Sequence, residues 1–216
     1  WRRANRPAKE EAGSISTTSQ GPSINRFQLW IDAVGGYLVC LSDELTVGQA
    51  VPGADVDVPI FGNLERHHAT IRRDTEGYVL VPEAEVIIEG KSISDPCFLS
   101  HADEIELGEG VRLRFRKPHA LSASASLEIL SSHRTQPACD AVVLMADSLI
   151  FSRKMNSHVV CRDWQQDVIL FRQERELFCR SSDEFEIDGR LHQGEGRLGA
   201  NSRVRGRDFS LSVEET

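Results

Sequence analysis

Residues 64–71 read Leu64-Glu65-Arg66-His67-His68-Ala69-Thr70-Ile71 and bring a carboxylate, a guanidinium and two imidazoles together. Arginine's planar fork suits bidentate capture of a carboxylate or phosphate. Histidine can ligate metal, move protons or hold a loop. Adjacent residues on a strand point to opposite faces, so His67 and His68 cannot chelate one ion together. His158 and Cys161 have no partner at ligand spacing, and no metal or cofactor is expected. The histidines are scattered, with no Gly-x-Ser-x-Gly elbow and no recognised cysteine-nucleophile context, so no catalytic residue is assigned and the chain is not read as an enzyme. Gly194-Glu195-Gly196-Arg197-Leu198-Gly199 lacks the Lys-Ser/Thr and following helix of a phosphate loop and is read as a hairpin or loop turn. Arg203, Arg205 and Arg207 alternate along one strand face or edge. They form either a solvated edge blocked against pairing or, with Arg153, a docking patch for acidic peptide.

The elements that must position these groups are short. Apolar runs broken by turn residues begin at Phe27 and include Phe27–Asp32, Gly36–Leu41, Glu44–Val47, His68–Arg72, Tyr78–Val81, Val86–Ile88, Glu104–Leu107 and Arg112–Phe115. Val111-Arg112-Leu113-Arg114-Phe115 alternates strictly, as a strand with one buried face does. No window shows a helical period, and strands at spacings of roughly 8–12 residues predict a β-sandwich. Leu127-Glu128-Ile129-Leu130 opens a second run, continued by Ala141–Met145, Ser148–Phe151, Val168–Arg172, Glu176–Cys179, Phe185–Ile187, Ser202–Val204 and Phe209–Val213. The two runs echo each other: Trp30 to Ile129 and Gly90 to Gly189 are both 99 residues apart, and Leu45 to Leu149 is 104. Two sandwiches in tandem are expected, a repeat of pattern more than of sequence. Residues 1–25, rich in Ser, Thr, Gly, Pro and Ala, are expected to be a disordered tail.

Charge narrows the partners. Lys+Arg against Asp+Glu is 5 to 2 in residues 1–26, 8 to 16 in 27–117 and 12 to 15 in 118–216. Neither expected sandwich is basic, which argues against nucleic acid. No apolar stretch approaches the ~20 residues of a membrane-spanning helix, so no direct membrane insertion is expected. Five cysteines, an odd number without a CxxC pair, are read as reduced core thiols of a cytoplasmic protein. The chain starts at Trp1 and not at Met, which points to a piece of something longer.

Thr46-Val47-Gly48-Gln49, the segment 64–71, Glu89-Gly90-Lys91 and Asp103-Glu104-Ile105-Glu106-Leu107-Gly108 follow one another in an order that resembles the forkhead-associated (FHA) domain. That family's pattern runs Gly-Arg, Ser-Arg-x-His-Ala-x-Ile, Asn-Gly and Gly-Asp-x-Ile-x-Leu-Gly. The resemblance covers residues 44–117. It implies an all-β FHA domain over 26–118, and the internal repeat extends this to an expectation of two tandem FHA-like (SMAD/FHA-type) sandwiches, the second over 119–216. It also implies protein–protein interaction, with a phosphothreonine peptide held by loops at one end. His68 matches the family's loop-holding histidine, Arg66 the arginine of Ser-Arg-x-His, Gly48 the turn glycine, and Gly90 the glycine of Asn-Gly.

The departures fall on the phosphate-holding positions: Gln49 stands for the arginine of Gly-Arg and Glu65 for the serine. A carboxylate ~5 Å from a phosphate dianion costs roughly 2 kcal/mol in water-like surroundings and ~6–7 at an effective dielectric of 20. A scaffold or adaptor with impaired phosphothreonine binding is therefore expected, its partner a protein or peptide, phosphorylated or not. Gln49, Glu65, Arg66 and Arg153 are the candidate peptide-binding residues, Arg153 following Ser152 where the second run would carry Gly-Arg. The alternatives are phosphothreonine recognition through a non-standard site and a structural spacer of a larger signalling protein.

Overall fold

The computed structural model describes residues 25–119 and 121–216. All but Asn25 of the expected disordered tail lies outside the described residues.

Those residues form strands and turns with no helix, so the fold is all-β. In chain order the strands are β1 (Arg26–Ile31), β2 (Gly35–Cys40), β3 (Glu44–Gln49), β4 (Val58–Phe61), β5 (Ala69–Arg73), β6 (Tyr78–Pro82), β7 (Val86–Ile88) and β8 (Lys91–Ile93). There follow β9 (Cys97–Leu99), β10 (Glu104–Leu107), β11 (Val111–Arg116), β12 (Ala125–Ile129), β13 (Arg134–Thr135), β14 (Ala141–Leu144), β15 (Ser148–Ser152) and β16 (Val159–Val160). The last are β17 (Val168–Gln173), β18 (Glu176–Ser181), β19 (Phe185–Ile187), β20 (Arg190–His192), β21 (Glu195–Leu198), β22 (Arg203–Arg205) and β23 (Ser210–Glu215). No helix among the described residues is long and apolar enough to cross a membrane.

Twelve strands join in one sheet, in the order β20-β19-β22-β23-β1-β2-β14-β12-β11-β10-β7-β8. A six-stranded sheet (β13-β4-β3-β5-β6-β9) and a five-stranded one (β16-β15-β17-β18-β21) complete the fold. The strands of the first run do not all stay together. β1 pairs with the last strand, Leu29 opposite Val213, while β11 takes β12 as its neighbour, Phe115 opposite Leu127. The seam is the parallel pair β2–β14, with Leu38 beside Val142 and Val39 beside Val143.

Two cores lie on opposite faces of the long sheet. Leu38, Cys40, Val142 and Leu144 enter a core with Leu45, Ile71, Tyr78, Leu113 and Phe115. Val39, Val143 and Met145 enter another with Leu29, Phe151, Trp164, Leu170 and Leu211. A strand with a solvent face alternates apolar and polar residues, whereas Leu38-Val39-Cys40 and Val142-Val143-Leu144 are apolar on both faces because each face meets a core. At one end of the seam the Asp140 carboxylate accepts the Gly36 N–H (2.8 Å) and the Asp140 N–H donates to the Gly36 carbonyl (2.7 Å). At the other, the Met145 N–H donates to the Cys40 carbonyl (2.9 Å).

Several short strands went unread in the sequence: β4, β8, β9, β13, β16, β20 and β21. β21 lies within the glycine-rich 194–199 stretch expected to be only a turn. The edge reading of the arginine row is also corrected. β22 runs between β19 and β23, so Arg203 and Arg205 are exposed on a sheet face and block no edge, and Arg207 lies beyond the strand. All five cysteines are free. Cys40, Cys161 and Cys179 are buried, and Cys97 and Cys139 are partly so.

Candidate peptide-binding site

The loops at one end of the six-stranded sheet are tied together by a single imidazole. His68 sits just before β5 at 2% exposure. Its Nδ1 accepts the Glu65 N–H (3.1 Å) and its Nε2 lies 2.7 Å from the Glu85 carbonyl oxygen. A carbonyl can only accept, so Nε2 carries the ring proton and donates it. The carbonyl of His68 in turn accepts the N–H groups of Glu83 (3.0 Å) and Ala84 (3.1 Å). The β4–β5 loop is thus bound to the β6–β7 loop through both the ring and the backbone of one residue.

Gly48 lets the β3 end approach closely. A Cβ there would collide with the carbonyl oxygen of Arg66, and the neighbouring Gln49 N–H donates to the Glu65 carbonyl (3.0 Å). Gly90, at φ 75°, follows Glu89 at φ 48°. This pair of positive φ values makes the two-residue turn of the β7–β8 hairpin, in which Ile88 faces Lys91. Gly90 is therefore a turn residue, and its surroundings are open.

On the outside of this frame Glu65, Arg66 and His67 are exposed. His67 and His68 face opposite ways, one to solvent and one inward, as adjacent strand-end residues should. Gln49 turns its amide to the Gly62 carbonyl (3.2 Å). The Arg66 guanidinium makes no hydrogen bond or ion pair with the described residues. Thr70 Oγ1 donates to Glu83 Oε1 (2.7 Å), which adds a second acidic group to the β6–β7 side. Gln49, Glu65 and Arg66 thus share one loop end with His68 and Gly48.

Arg153 does not join them. It follows β15, in the five-stranded sheet, where its Nη1 donates to Gln165 Oε1 (3.4 Å). Nearby, Lys154 pairs with Asp167 (2.8 Å). The loop tie of this sheet comes from a residue that sequence reasoning missed. Gln166 Oε1 accepts from Ser181 Oγ (2.7 Å), Ser182 Oγ (3.1 Å) and the Asp183 N–H (3.1 Å). Its amide nitrogen donates to Asp208 (3.4 Å). Asp167, the residue aligned with His68 by spacing, does not make this tie. Trp164, aligned with Glu65, is a core residue at 3% exposure, packed between Phe151 and Phe209. No residue type announces such a tie, because any side chain with an amide or imidazole of the right reach can make it.

A second unread group holds the segment before β12. His158 Nδ1 accepts the Ile150 N–H (2.9 Å), and its Nε2 meets Ser122 Oγ at 3.0 Å. The ring stacks on His119 with centroids 6.1 Å apart. Burial, with His119 beside it, lowers the His158 pKa to about 4.

A search of curated proteins found no match to this chain. The model of the FHA domain matches residues 45–108, the stretch that contains Gly48, the His68 tie and the Gly90 turn. FHA domains are binding modules and not a catalytic family. The β3–β10 region of this chain is accordingly an FHA domain, a β-sandwich module of protein–protein interaction.

Proposed function

We propose that this protein is a scaffold or adaptor built from two FHA-like sandwiches in tandem, the first weakened in phosphothreonine binding. The observation that carries the second part is the exposed Glu65 carboxylate at the tip of the loop that His68 holds. A dianion entering there meets this carboxylate, and Gln49 offers a neutral amide already directed at Gly62. A lost arginine or serine contact removes about 1.5–3 kcal/mol before any repulsion is counted.

Strand pairing supports the repeat. β3–β4 and β15–β16 are both parallel, and both are followed by antiparallel meanders, β3-β5-β6-β9 and β15-β17-β18-β21. Leu45 faces Ile71 as Leu149 faces Leu170, and Ile88 faces Ile105 as Ile187 faces Val204. Strand pairing favours a slightly different spacing for the first strands. Leu127 faces Phe115 as Leu29 faces Val213, so the first strands correspond at an offset of 98 and not the 99 taken from Trp30 and Ile129. An offset of 99 would set the exposed Trp30 against the core-facing side of β12. In this reading the sequence repeats are 26–118 and 119–216, and each lends its first hairpin to the other's sandwich.

Binding of the intact chain to a phosphothreonine peptide array tests the function. Weak or absent signal from the wild type, with gain of binding in the double variant Glu65→Ser, Gln49→Arg, is expected. A second reading has one observation in its favour: the Arg66 guanidinium is exposed and unpaired among the described residues. Strong wild-type binding restricted to phosphorylated peptides and abolished by Arg66→Ala would establish phosphopeptide recognition through a non-standard site instead.

A further inference from the structure

Among the described residues, four strand pairs join the half 26–118 to the half 119–216. β1 lies on β23 with Leu29 opposite Val213, and β11 on β12 with Phe115 opposite Leu127. β2 runs beside β14, and β4 beside β13 with Ile60 opposite Thr135. Neither core belongs to one half. Ala125, Leu127, Val142 and Leu144 complete the core around Leu45, Ile71 and Phe115. Phe27, Leu29, Ile31 and Val39 complete the one around Phe151, Leu170 and Leu211. Side chains bridge the halves as well. The Tyr78 hydroxyl donates to the Ala123 carbonyl (2.6 Å), Arg172 Nη1 to the Leu41 carbonyl (3.1 Å) and the Gln28 amide to the Ala138 carbonyl (3.0 Å). The covalent connection is the segment between β11 and β12, where Leu121 is 94% exposed.

Strand direction decides where the two sets of loops lie. β2 and β14 are parallel, and β1 and β12 each run against them, so β1 and β12 share a direction. β23 and β11 reverse once more. The turns that enter β11 and β23 therefore emerge at the same end of the twelve-stranded sheet. The first, Gly108-Glu109-Gly110, joins the loops held by His68: the Gly108 N–H donates to the same Glu85 carbonyl (3.1 Å). The second, Gly206-Arg207-Asp208-Phe209, joins the loops held by Gln166, whose amide nitrogen donates to Asp208 (3.4 Å). Four strands lie between β11 and β23. At about 4.8 Å per strand step the two turns stand roughly 30 Å apart.

We infer that the two halves are each other's obligatory partner, and that the exchanged hairpins, not the covalent link, set their two loop ends side by side as one rigid two-point face. The inference rests on the reading of 26–118 and 119–216 as repeats that exchange their first hairpins. Sandwiches joined only by a short linker move relative to each other unless a large apolar interface holds them. Here each core is closed by strands of the other half, so no motion between the sandwiches is possible without opening a core. Whatever docks at the end bearing Glu65 and Arg66 is thereby held in fixed register with whatever docks at the end bearing Arg207.

The test uses the full chain with a protease site inserted at Leu121. After cleavage the two pieces are expected to leave a sizing column together, at the size of the intact chain, and to separate only in denaturant. Their urea midpoint should rise with protein concentration, as that of a two-part complex does. Spin labels on Glu109→Cys and Arg207→Cys, in a Cys97→Ser, Cys139→Ser background, read the two turns directly, since Glu109 and Arg207 are both exposed. One narrow distance of roughly 30 Å is expected, unchanged by cleavage. Pieces that part without denaturant overturn the inference, and so does a distance distribution that is broad or that widens on cleavage. The cleavage measurement needs none of the cysteine variants and stands if they fail to fold. Phosphopeptide binding of the wild type defeats only the reading of the phosphate site, whereas parting of the cleaved pieces defeats this inference alone.

Discussion

The Nε2 of His68 donates to the carbonyl oxygen of Glu85 across 2.7 Å and seventeen residues of chain. With the Glu65 N–H bound to the opposite nitrogen, this ring is a side-chain cross-link between two loops of the FHA domain, beside the backbone bonds of His68 to Glu83 and Ala84. Replacing it leaves the Glu65 N–H without its acceptor, at about 1–3 kcal/mol, removes one of the two donors to the Glu85 carbonyl, which keeps the Gly108 N–H (3.1 Å), and empties the space of a buried ring. His68→Ala should lower unfolding free energy by about 2–4 kcal/mol in urea titrations. His67→Ala, on the exposed neighbour, should change it by less than about 0.5 kcal/mol.

Gly48 has a narrower requirement. Any side chain there would collide with the Arg66 carbonyl. Gly48→Ala should therefore destabilise the chain by about 2–3 kcal/mol, within the range of overpacked sites. Amide exchange should accelerate first in residues 62–68, next to the displaced carbonyl.

Leu29 distinguishes sequence neighbourhood from spatial neighbourhood. It lies in β1 at 0% exposure, in the core of Phe151, Leu170 and Leu211. Leu29→Ala should cost about 2–5 kcal/mol. Hydrogen exchange under mildly destabilising conditions should rise in β17, β18 and β23 before it rises in β3 and β5. The reverse order would mean that the first hairpin serves the FHA core.

The His158 pKa, lowered to about 4 by burial and by His119, implies a pH dependence of definite sign. Folded His158 stays neutral where its unfolded counterpart, near 6.5, takes up a proton. The unfolded state thus binds more protons between those values. Stability is full above pH 6.5, falls as pH drops toward 4, and levels off below. The loss is about 2 kcal/mol once the ring's partial exposure is allowed for. Comparing urea midpoints of the wild type and His158→Gln at pH 7.5 and 4.5 isolates this contribution, which the variant should lack.

Burial pushes the thiols of Cys40, Cys161 and Cys179 up to about 12. Their thiolate fraction at pH 8 is negligible, and nucleophilicity resides in the thiolate. Iodoacetamide should label Cys97 first in the native chain, Cys139 more slowly, and the other three only on unfolding. Peptide mapping by mass spectrometry reads the order.

Much of this fold was legible because half-buried strands alternate. Val111-Arg112-Leu113-Arg114-Phe115 declared its faces, and the exposed Arg112 and buried Leu113 confirm them. Strands of two or three residues, such as β9 or β16, are too short for a period to emerge, and β4 carries Pro59 in its middle. The pairing of β1 with β23 joins residues nearly two hundred positions apart, a distance over which local pattern carries no information. His68, Gly48 and Gly90 could be read because each does a job that few residue types can do. Gln166 and His158 could not, since their roles depend on what the fold brings within reach.

The seam between β2 and β14 has a consequence for register. A strand with one polar face resists a one-residue slip, because slipping would bury its polar residues. Leu38-Val39-Cys40 and Val142-Val143-Leu144 have no such protection, since a slip would merely trade side chains between the two cores. The correct alignment is pinned from outside the apolar stretch, by the paired bonds between Asp140 and Gly36. A single surface carboxylate and the bare backbone of a glycine thus decide which of two interiors each seam residue serves.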